Sequence, residues 1–300
     1  MDGVTRVGIV GLGRMGQAVA GRVLEGGHDL VVYNRTPAKA EGLASAGASV
    51  ARDLAGACGD REIVVTVLAD DAALESVVLG AGGLRDSLAP GAIHVAMGTH
   101  GVATIRALAA AHAEAGQSLV TAHPLGRPEL AAEGKIGLVT GGPADAVHRC
   151  EPLFDQIGRR AFYAGEQPES ASAVKLANNL VLGCAIEVMG EAFSLVRRYE
   201  VDPDLLYDVL TDGLFAGIAY EGYGRIIADQ AYDRVGITAE LGLKDANLAL
   251  AAADIARLPL PSVNVWRDRL LSAIAHGNGG KDWAVVALEQ SQAGGLDQSG

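Results

Sequence analysis

A lysine and two asparagines lie at i, i+3 and i+4 in the stretch Glu169-Ser170-Ala171-Ser172-Ala173-Val174-Lys175-Leu176-Ala177-Asn178-Asn179. At that spacing Lys175, Asn178 and Asn179 share one face of a helix. An ammonium beside two carboxamides, on an otherwise apolar run, is suited to give a proton to an oxygen on which negative charge develops. The same pattern also suits a lysine whose stem runs along apolar surface, with asparagines that cap or bond between helices. Nothing in this chemistry requires a metal.

A second constellation sits near the start. The strand-like run Arg6–Val10 leads into Gly11-Leu12-Gly13-Arg14-Met15-Gly16 and then into a helix-period segment to Leu24. In that context Gly11 permits a tight turn, Gly13 lets the backbone approach a pyrophosphate, and Gly16 allows close helix–strand packing. Leu12, Arg14 and Met15 belong to the same turn, whose helix start supplies amide donors and positive partial charge. The next strand ends at Tyr33 and is followed by Asn34-Arg35-Thr36, where a site for NAD usually carries a carboxylate. Arg35 suits an adenosine 2′-phosphate instead, with Asn34 and Thr36 as hydrogen-bond donors and Lys39 adding charge, so the expected cofactor is NADP(H). The alternative is an exposed Arg/Lys cluster at a helix start.

These residues need a scaffold. Arg6–Val10, Leu30–Tyr33, Ile63–Leu68, Ile93–Ala96, Ser118–Thr121 and Ile136–Thr140 read as strands separated by helix-period segments. Continuous apolar strands joined through helices make an α/β Rossmann domain with a mainly parallel, doubly wound sheet, expected over residues 1–165. Met97-Gly98-Thr99 then falls at the carboxyl end of a strand, the side on which such sheets bind ligands. After Ala164 the strand signals stop, and residues 166–300 read as an all-α domain. Glu169–Tyr199 contains no Pro and predicts a helix of about 45 Å, a spine shared between the two copies of a homodimer. Helices are expected at Pro203–Leu214, Thr238–Ala256, Pro261–His276 and Asp282–Gln290, with a polar, Gly-rich tail at Ala293–Gly300.

The composition narrows the partners. The chain has 300 residues, 49% hydrophobic but only 4% aromatic, which suits helix–sheet and helix–helix packing more than a sandwich. A formal charge of -12 opposes general binding to nucleic acid or anionic membranes. Cys58, Cys150 and Cys184 are odd in number and far apart, which suggests neither a disulfide framework nor zinc and favours a reducing, cytoplasmic setting. There is no leader-like N-terminus and no unbroken apolar run of about 18 residues, so a membrane is not expected.

Taken together, the Gly11–Gly16 turn, the Val174-Lys175-Leu176-Ala177-Asn178-Asn179 stretch and Leu243-Lys244-Asp245-Ala246-Asn247-Leu248-Ala249 resemble the β-hydroxyacid dehydrogenase family in order and approximate spacing. The resemblance implies that Lys175 is the general acid, Asn179 orients substrate and lysine, and Lys244 contacts the cofactor. It also implies that Leu68-Ala69 and Thr99 close over the nicotinamide ribose and ring. Where the family holds a substrate carboxylate with Ser-Gly-Gly, this chain has Leu125-Gly126-Arg127 in Thr121-Ala122-His123-Pro124-Leu125-Gly126-Arg127, with Ala131 and Gly134 supporting the register. Leu125 has no hydroxyl, so the Gly126 amide and the Arg127 guanidinium stand in, unless Arg127 makes a surface salt bridge. Glu169 and Ala171 replace glycines common ahead of the lysine. His123 reads as a residue fixing the turn before Pro124 more than as a second acid/base. Tyr220 and Tyr223, in the Gly-rich segment Gly217–Gly224, read either as interface packing or as a cover for the site.

The implied function is NADPH-dependent interconversion of a small aldehyde or keto acid and its hydroxy acid. Similarity through Asn34-Arg35-Thr36-Pro37-Ala38-Lys39-Ala40 to imine reductases makes an imine substrate the alternative, opposed by Lys175. A 6-phosphogluconate-type dehydrogenase would need a larger helical domain. The reading from another class is a catalytically silent NADP-binding scaffold, opposed by Lys175, Asn179 and Lys244.

Overall fold

The computed structural model describes residues 4–296 and shows alternating strands and helices followed by helices alone. The elements run β1 (Arg6–Val10), α1 (Arg14–Glu25), β2 (Asp29–Tyr33), α2 (Glu41–Ser45), β3 (Ser49–Val50), α3 (Leu54–Cys58), β4 (Ile63–Thr66), α4 (Asp71–Leu79) and α5 (Leu84–Ser87). They continue as β5 (Ile93–Ala96), α6 (Val102–Glu114), β6 (Ser118–Leu125), α7 (Pro128–Ala132), β7 (Ile136–Gly141), α8 (Ala144–Ile157) and β8 (Gly158–Tyr163). The helical part comprises α9 (Pro168–Arg198), α10 (Pro203–Thr211), α11 (Ile218–Ala228), α12 (Ala239–Ala256), α13 (Pro261–Ala275) and α14 (Val286–Ala293).

The eight strands form one sheet in the order β3-β2-β1-β4-β5-β6-β7-β8. All neighbours pair parallel except β6 and β7, so the expected mainly parallel Rossmann sheet is what forms. Alternate residues of each strand serve opposite faces. Val7, Ile9, Ile63 and Val65 pack with Val19 and Val23 of α1 and Phe154 and Ile157 of α8. Val10 and Val64 face the other way, toward Ala57, Leu84 and Leu88.

Two strands lay outside the sequence expectation. Ser49–Val50 is a two-residue edge strand, and Gly158–Tyr163 is exposed over most of its length and carries Arg159 and Arg160, so neither shows a buried apolar run. β6 also continues past Thr121, through Pro124, to Leu125. Beyond Thr121 it pairs only with β7, leaving one side open where a residue without an amide hydrogen is tolerated. Asp282–Gln290 starts as a 3-10 turn at Trp283–Val285 before α14. The last four residues of the expected tail lie outside the described residues.

The chain divides into two compact units, Met1–Lys175 and Leu176–Gly300. The division falls within α9, later than residue 165, because the first turns of that helix pack on the sheet. Thr121 Oγ1 donates to the Pro168 carbonyl at 2.7 Å, and a Cβ at Gly141 would stand 3.1 Å from Ala171 Cβ. In the second unit α9 makes closer approaches still. A Cβ at Gly183 would fall 2.3 Å from the Trp266 ring, and one at Gly190 would fall 2.8 Å from Ala287 Cα. Trp266 meets Trp283 edge-on, and Tyr223, inside α11 rather than in a loop, lies against Trp283.

α9 is long and apolar enough, with a mean hydropathy of 1.5, to cross a bilayer by length and composition alone, although it contains no unbroken apolar run of that length. Its polar residues are nevertheless bonded within the protein: Asn179 to Asp245, Glu187 to Arg269, and Ser194 to Ser291. Val174, Val181, Val188 and Leu195, seven residues apart, form a stripe that is 46%, 66%, 61% and 61% exposed.

A polar chain crosses the buried middle of the first unit. Thr66 Oγ1 meets His94 Nε2 at 2.9 Å, His94 Nδ1 meets His112 Nε2 at 2.9 Å, and His112 Nδ1 meets Gln117 Oε1 at 2.7 Å. Gln117 gives both amide hydrogens to the carbonyls of Arg85 and Leu88, so its oxygen must accept. The Gln117 oxygen fixes a proton on His112 Nδ1, and with both rings kept neutral by burial His94 also carries its proton on Nδ1 and donates it to His112 Nε2. Burial, first of all, holds both below the usual histidine range. Because the unfolded chain binds protons first, the stability they contribute is present above about pH 6.5 and is lost as pH falls toward their folded values, by up to about 1.4 kcal/mol per ring per pH unit. Long-range proton–nitrogen NMR is expected to show both rings as Nδ1–H and unchanged between pH 8 and pH 6, where an unburied imidazole already titrates. A ring that is charged at pH 6 or protonated on Nε2 would refute the arrangement.

Candidate active site

Parallel strands deliver their carboxyl ends to one edge of the sheet, and the residues singled out in the first unit follow those ends. Gly11 follows β1, Asn34-Arg35-Thr36 follow β2, Val67-Leu68-Ala69 follow β4, Met97-Gly98-Thr99 follow β5, and Leu125 closes β6. The strand order changes direction between β1 and β4, beside the Gly-rich turn, which is where sheets of this kind bind ligands.

Two glycines of that turn are required by the protein itself. Gly11 has φ +98, and a Cβ there would stand 2.4 Å from the Val67 carbonyl; a Cβ at Gly16 would stand 2.0 Å from the Gly11 carbonyl. Gly13 is different. It has ordinary backbone angles, and a Cβ would meet nothing within 4 Å. A glycine that internal packing does not require suits close approach by a group from outside the chain. Gly13 caps α1 without a side-chain hydrogen bond, and the first turn carries no acidic residue, so the helix start is open to an anion. These residues fit the pyrophosphate of a dinucleotide.

Around this turn, Asn34 acts as a brace. Its Oδ1 accepts from the Leu12 amide at 2.9 Å and its Nδ2 donates to the Thr36 carbonyl at 3.0 Å. Arg35, Thr36 and Lys39 are exposed, and Arg35 makes no ion pair among the described residues. Arg14 pairs with Glu129 of α7. Arg127 is exposed at the start of α7, beside Glu129, whose carboxyl is held below the usual range chiefly by a backbone hydrogen bond, with Arg14 and Arg127 adding to it.

Lys175, the last residue of this unit, is buried (9% exposed), and its Nζ donates to the Pro124 carbonyl at 2.8 Å, at the end of β6. A buried ammonium is costly unless hydrogen-bonded. The substitutions ahead of it have local reasons: Glu169 pairs with Arg106 at 2.9 Å at the helix start, and Ala171 fits against Gly141. His123 is fully buried, its Nδ1 bonded to the Gly98 carbonyl and its Nε2 2.9 Å from Ser172 Oγ, so it joins three elements rather than fixing a loop.

In the second unit, Asn179 is buried and donates to Asp245 Oδ2 at 2.7 Å, while Lys244 Nζ stands 3.3 Å from Asp245 Oδ1. Asn178 is exposed and donates to Asn179 Oδ1 at 3.2 Å. Asp245, buried between Asn179 and Lys244, stands inside the motif that carries Lys244 but has no signal of its own in the sequence. A carboxylate next to a lysine reads as a surface pair until burial is known. Ser172 and the His94–His112 pair left no local signal at all.

Two family models cover the chain. Residues 6–165 match the NAD binding domain of 6-phosphogluconate dehydrogenase, and residues 170–288 match the model described as NAD-binding of NADP-dependent 3-hydroxyisobutyrate dehydrogenase. The chain is 38% identical to the oxidoreductase YfjR of Bacillus subtilis over 94% of its own length and 98% of the relative's. It is 29% identical to L-threonate dehydrogenase of Cupriavidus necator over 93% and 94%. Among solved structures, 3-hydroxyisobutyrate dehydrogenase from Salmonella typhimurium superposes with a TM-score of 0.84 at 25% identity, covering 95% of this chain and 99% of that one. An imine reductase from Pseudomonas sp. shares the fold with a TM-score of 0.58 at 21% identity, covering 96% and 99%. With both parts of the chain matched in the same order, the chain belongs to the β-hydroxyacid dehydrogenase family and is a nicotinamide-dependent oxidoreductase.

Proposed function

We propose that the chain interconverts a small aldehyde or keto acid and the corresponding hydroxy acid with NADP(H), and that Lys175 moves the proton. The observation that carries this reading is the buried Lys175 ammonium on the Pro124 carbonyl, at the sheet edge that also bears the Gly-rich turn. When bound, the nicotinamide supplies or accepts the hydride. The chain's own residues do the rest. The amides after Gly13 bind the pyrophosphate, together with Leu12, Arg14, Met15 and Gly16. Arg35 takes the 2′-phosphate with Thr36, while Asn34 braces the turn. Leu68, Ala69 and Thr99 border the nicotinamide end, and Lys244 contributes a cofactor contact. Lys175 holds a proton for the carbonyl oxygen and stabilises the charge developing there. Asn179, one turn on along α9 and fixed by Asp245, orients the reacting groups with Asn178.

Substrate anchoring falls to Gly126, Arg127 and the apolar Leu125, which suits a small acid with an apolar flank. The exposed seven-residue stripe on α9 suits a second copy of the chain, giving a homodimer through the helical unit. Three free cysteines, two of them buried with thiols pushed up to about 12, suit a reducing cytoplasm.

NADPH oxidation at neutral pH against glyoxylate, succinic semialdehyde, other short aldehydes and keto acids, and cyclic imines tests the chemistry. Carbonyl turnover is expected, with kcat reduced about 10²- to 10⁴-fold in Lys175→Ala. Imine-only turnover that survives the substitution, or tight NADPH binding with no turnover, would reject it. Arg35→Ala is expected to lower the preference for NADPH over NADH in kcat/KM by about 10- to 100-fold, the value of a charge-assisted hydrogen bond. An unchanged ratio would place the 2′-phosphate elsewhere. In sedimentation velocity the wild type should run as a dimer or larger, and Val181→Asp combined with Val188→Asp should run as the monomer. A double variant that sediments like the wild type would show that the stripe is not the interface.

A further inference from the structure

We propose that His123 is a positioning residue for proton transfer: with Ser172 it fixes the carbonyl on which the Lys175 ammonium rests. The inference rests on Lys175 being the proton donor. His123 has no exposed surface, so both ring nitrogens, cut off from water, need partners, and both have them. The Gly98 carbonyl can only accept, so the proton is on Nδ1. In the neutral ring Nε2 then accepts from the Ser172 hydroxyl, 2.9 Å away.

The next residue, Pro124, has a fixed φ and no amide hydrogen to anchor it. Its carbonyl lies in one plane with the Leu125 amide, whose residue pairs with Gly137 of β7, so its direction depends on how the residues on both sides are held: Leu125 by β7, and His123 from two sides. That carbonyl accepts from Lys175 Nζ at 2.8 Å. Ser172 and Lys175 are three residues apart on one face of α9. Two successive residues of β6 thus grip successive turns of α9, one through a ring and the other through a carbonyl. The first grip sets the register of the second. Through Gly98 the same ring ties down the loop that carries Thr99.

The test is a double-mutant cycle on kcat. His123→Phe, His123→Asn and Ser172→Ala are each made in the wild type and in Lys175→Ala, with thermal midpoint and NADPH Kd measured alongside. His123→Phe is expected to lower kcat about 10- to 100-fold, the scale of a misplaced catalytic group, with NADPH Kd nearly unchanged. His123→Asn, which keeps a donor for Gly98, should recover part of that loss. In Lys175→Ala the same replacements should have no further effect. If His123→Phe does not fold, Ser172→Ala carries the cycle, with an expected loss of about 3- to 10-fold. Equal losses in both backgrounds would mean that His123 serves packing alone, and the proposal falls. An unaltered kcat in the His123 and Ser172 variants, with Lys175→Ala inactive, overturns this proposal and leaves the function intact. A fully active Lys175→Ala overturns both.

Discussion

Parallel pairing is the constraint on which the rest of the first unit depends. Parallel strands cannot be joined by tight turns, so each return from β1 to β6 crosses a face of the sheet. Every strand then ends at the same edge, and the chain leaves it there as a loop. Five such exits bring Gly13, Arg35, Leu68, Thr99 and Leu125 to one side without any contact between them being needed. The turnover in strand order lies beside β1 and the start of α1, where backbone amides favour an anion.

The second governing condition is the cost of burying polar groups. Lys175, His123, Ser172, His94 and His112 are all buried, and the structure meets each with a partner. Such networks constrain as much as they stabilise, because each member has few orientations that satisfy it. β6 is where two of them meet. Its Thr121 holds the start of α9, its His123 holds the first turns, and its Pro124 holds Lys175. The switch from parallel to antiparallel pairing after β6 lets that strand run on past the end of β5, and this extension supplies the grip.

Much of this was legible in the residues. Apolar runs of four to six residues, Gly-rich punctuation and a long stretch without Pro specify a doubly wound sheet and a long helix, because those patterns answer to local sterics and period. Lys175 and Asn179 were visible for the same reason, since i and i+4 spacing on a helix is a local property. Asn34 shows the limit. Its residue type suggested a ligand contact, and that its carboxamide braces the Gly-rich turn from a strand away could not be read from the order of residues.

What the amino-acid order alone determined is therefore the buried strands and the long helix, the Gly-rich turn between β1 and α1, the absence of a carboxylate after β2, and the helical spacing of Lys175 and Asn179. Tertiary structure decided the rest: that β6 continues through Pro124, that β8 and β3 close the sheet edges, that Asp245 is buried between Asn179 and Lys244, and that His123 reaches Ser172. These facts depend on which residues, far apart in the chain, are brought out of water together. A histidine or a carboxylate carries no mark in the sequence of whether it will be solvated or buried, and only burial makes a partner obligatory.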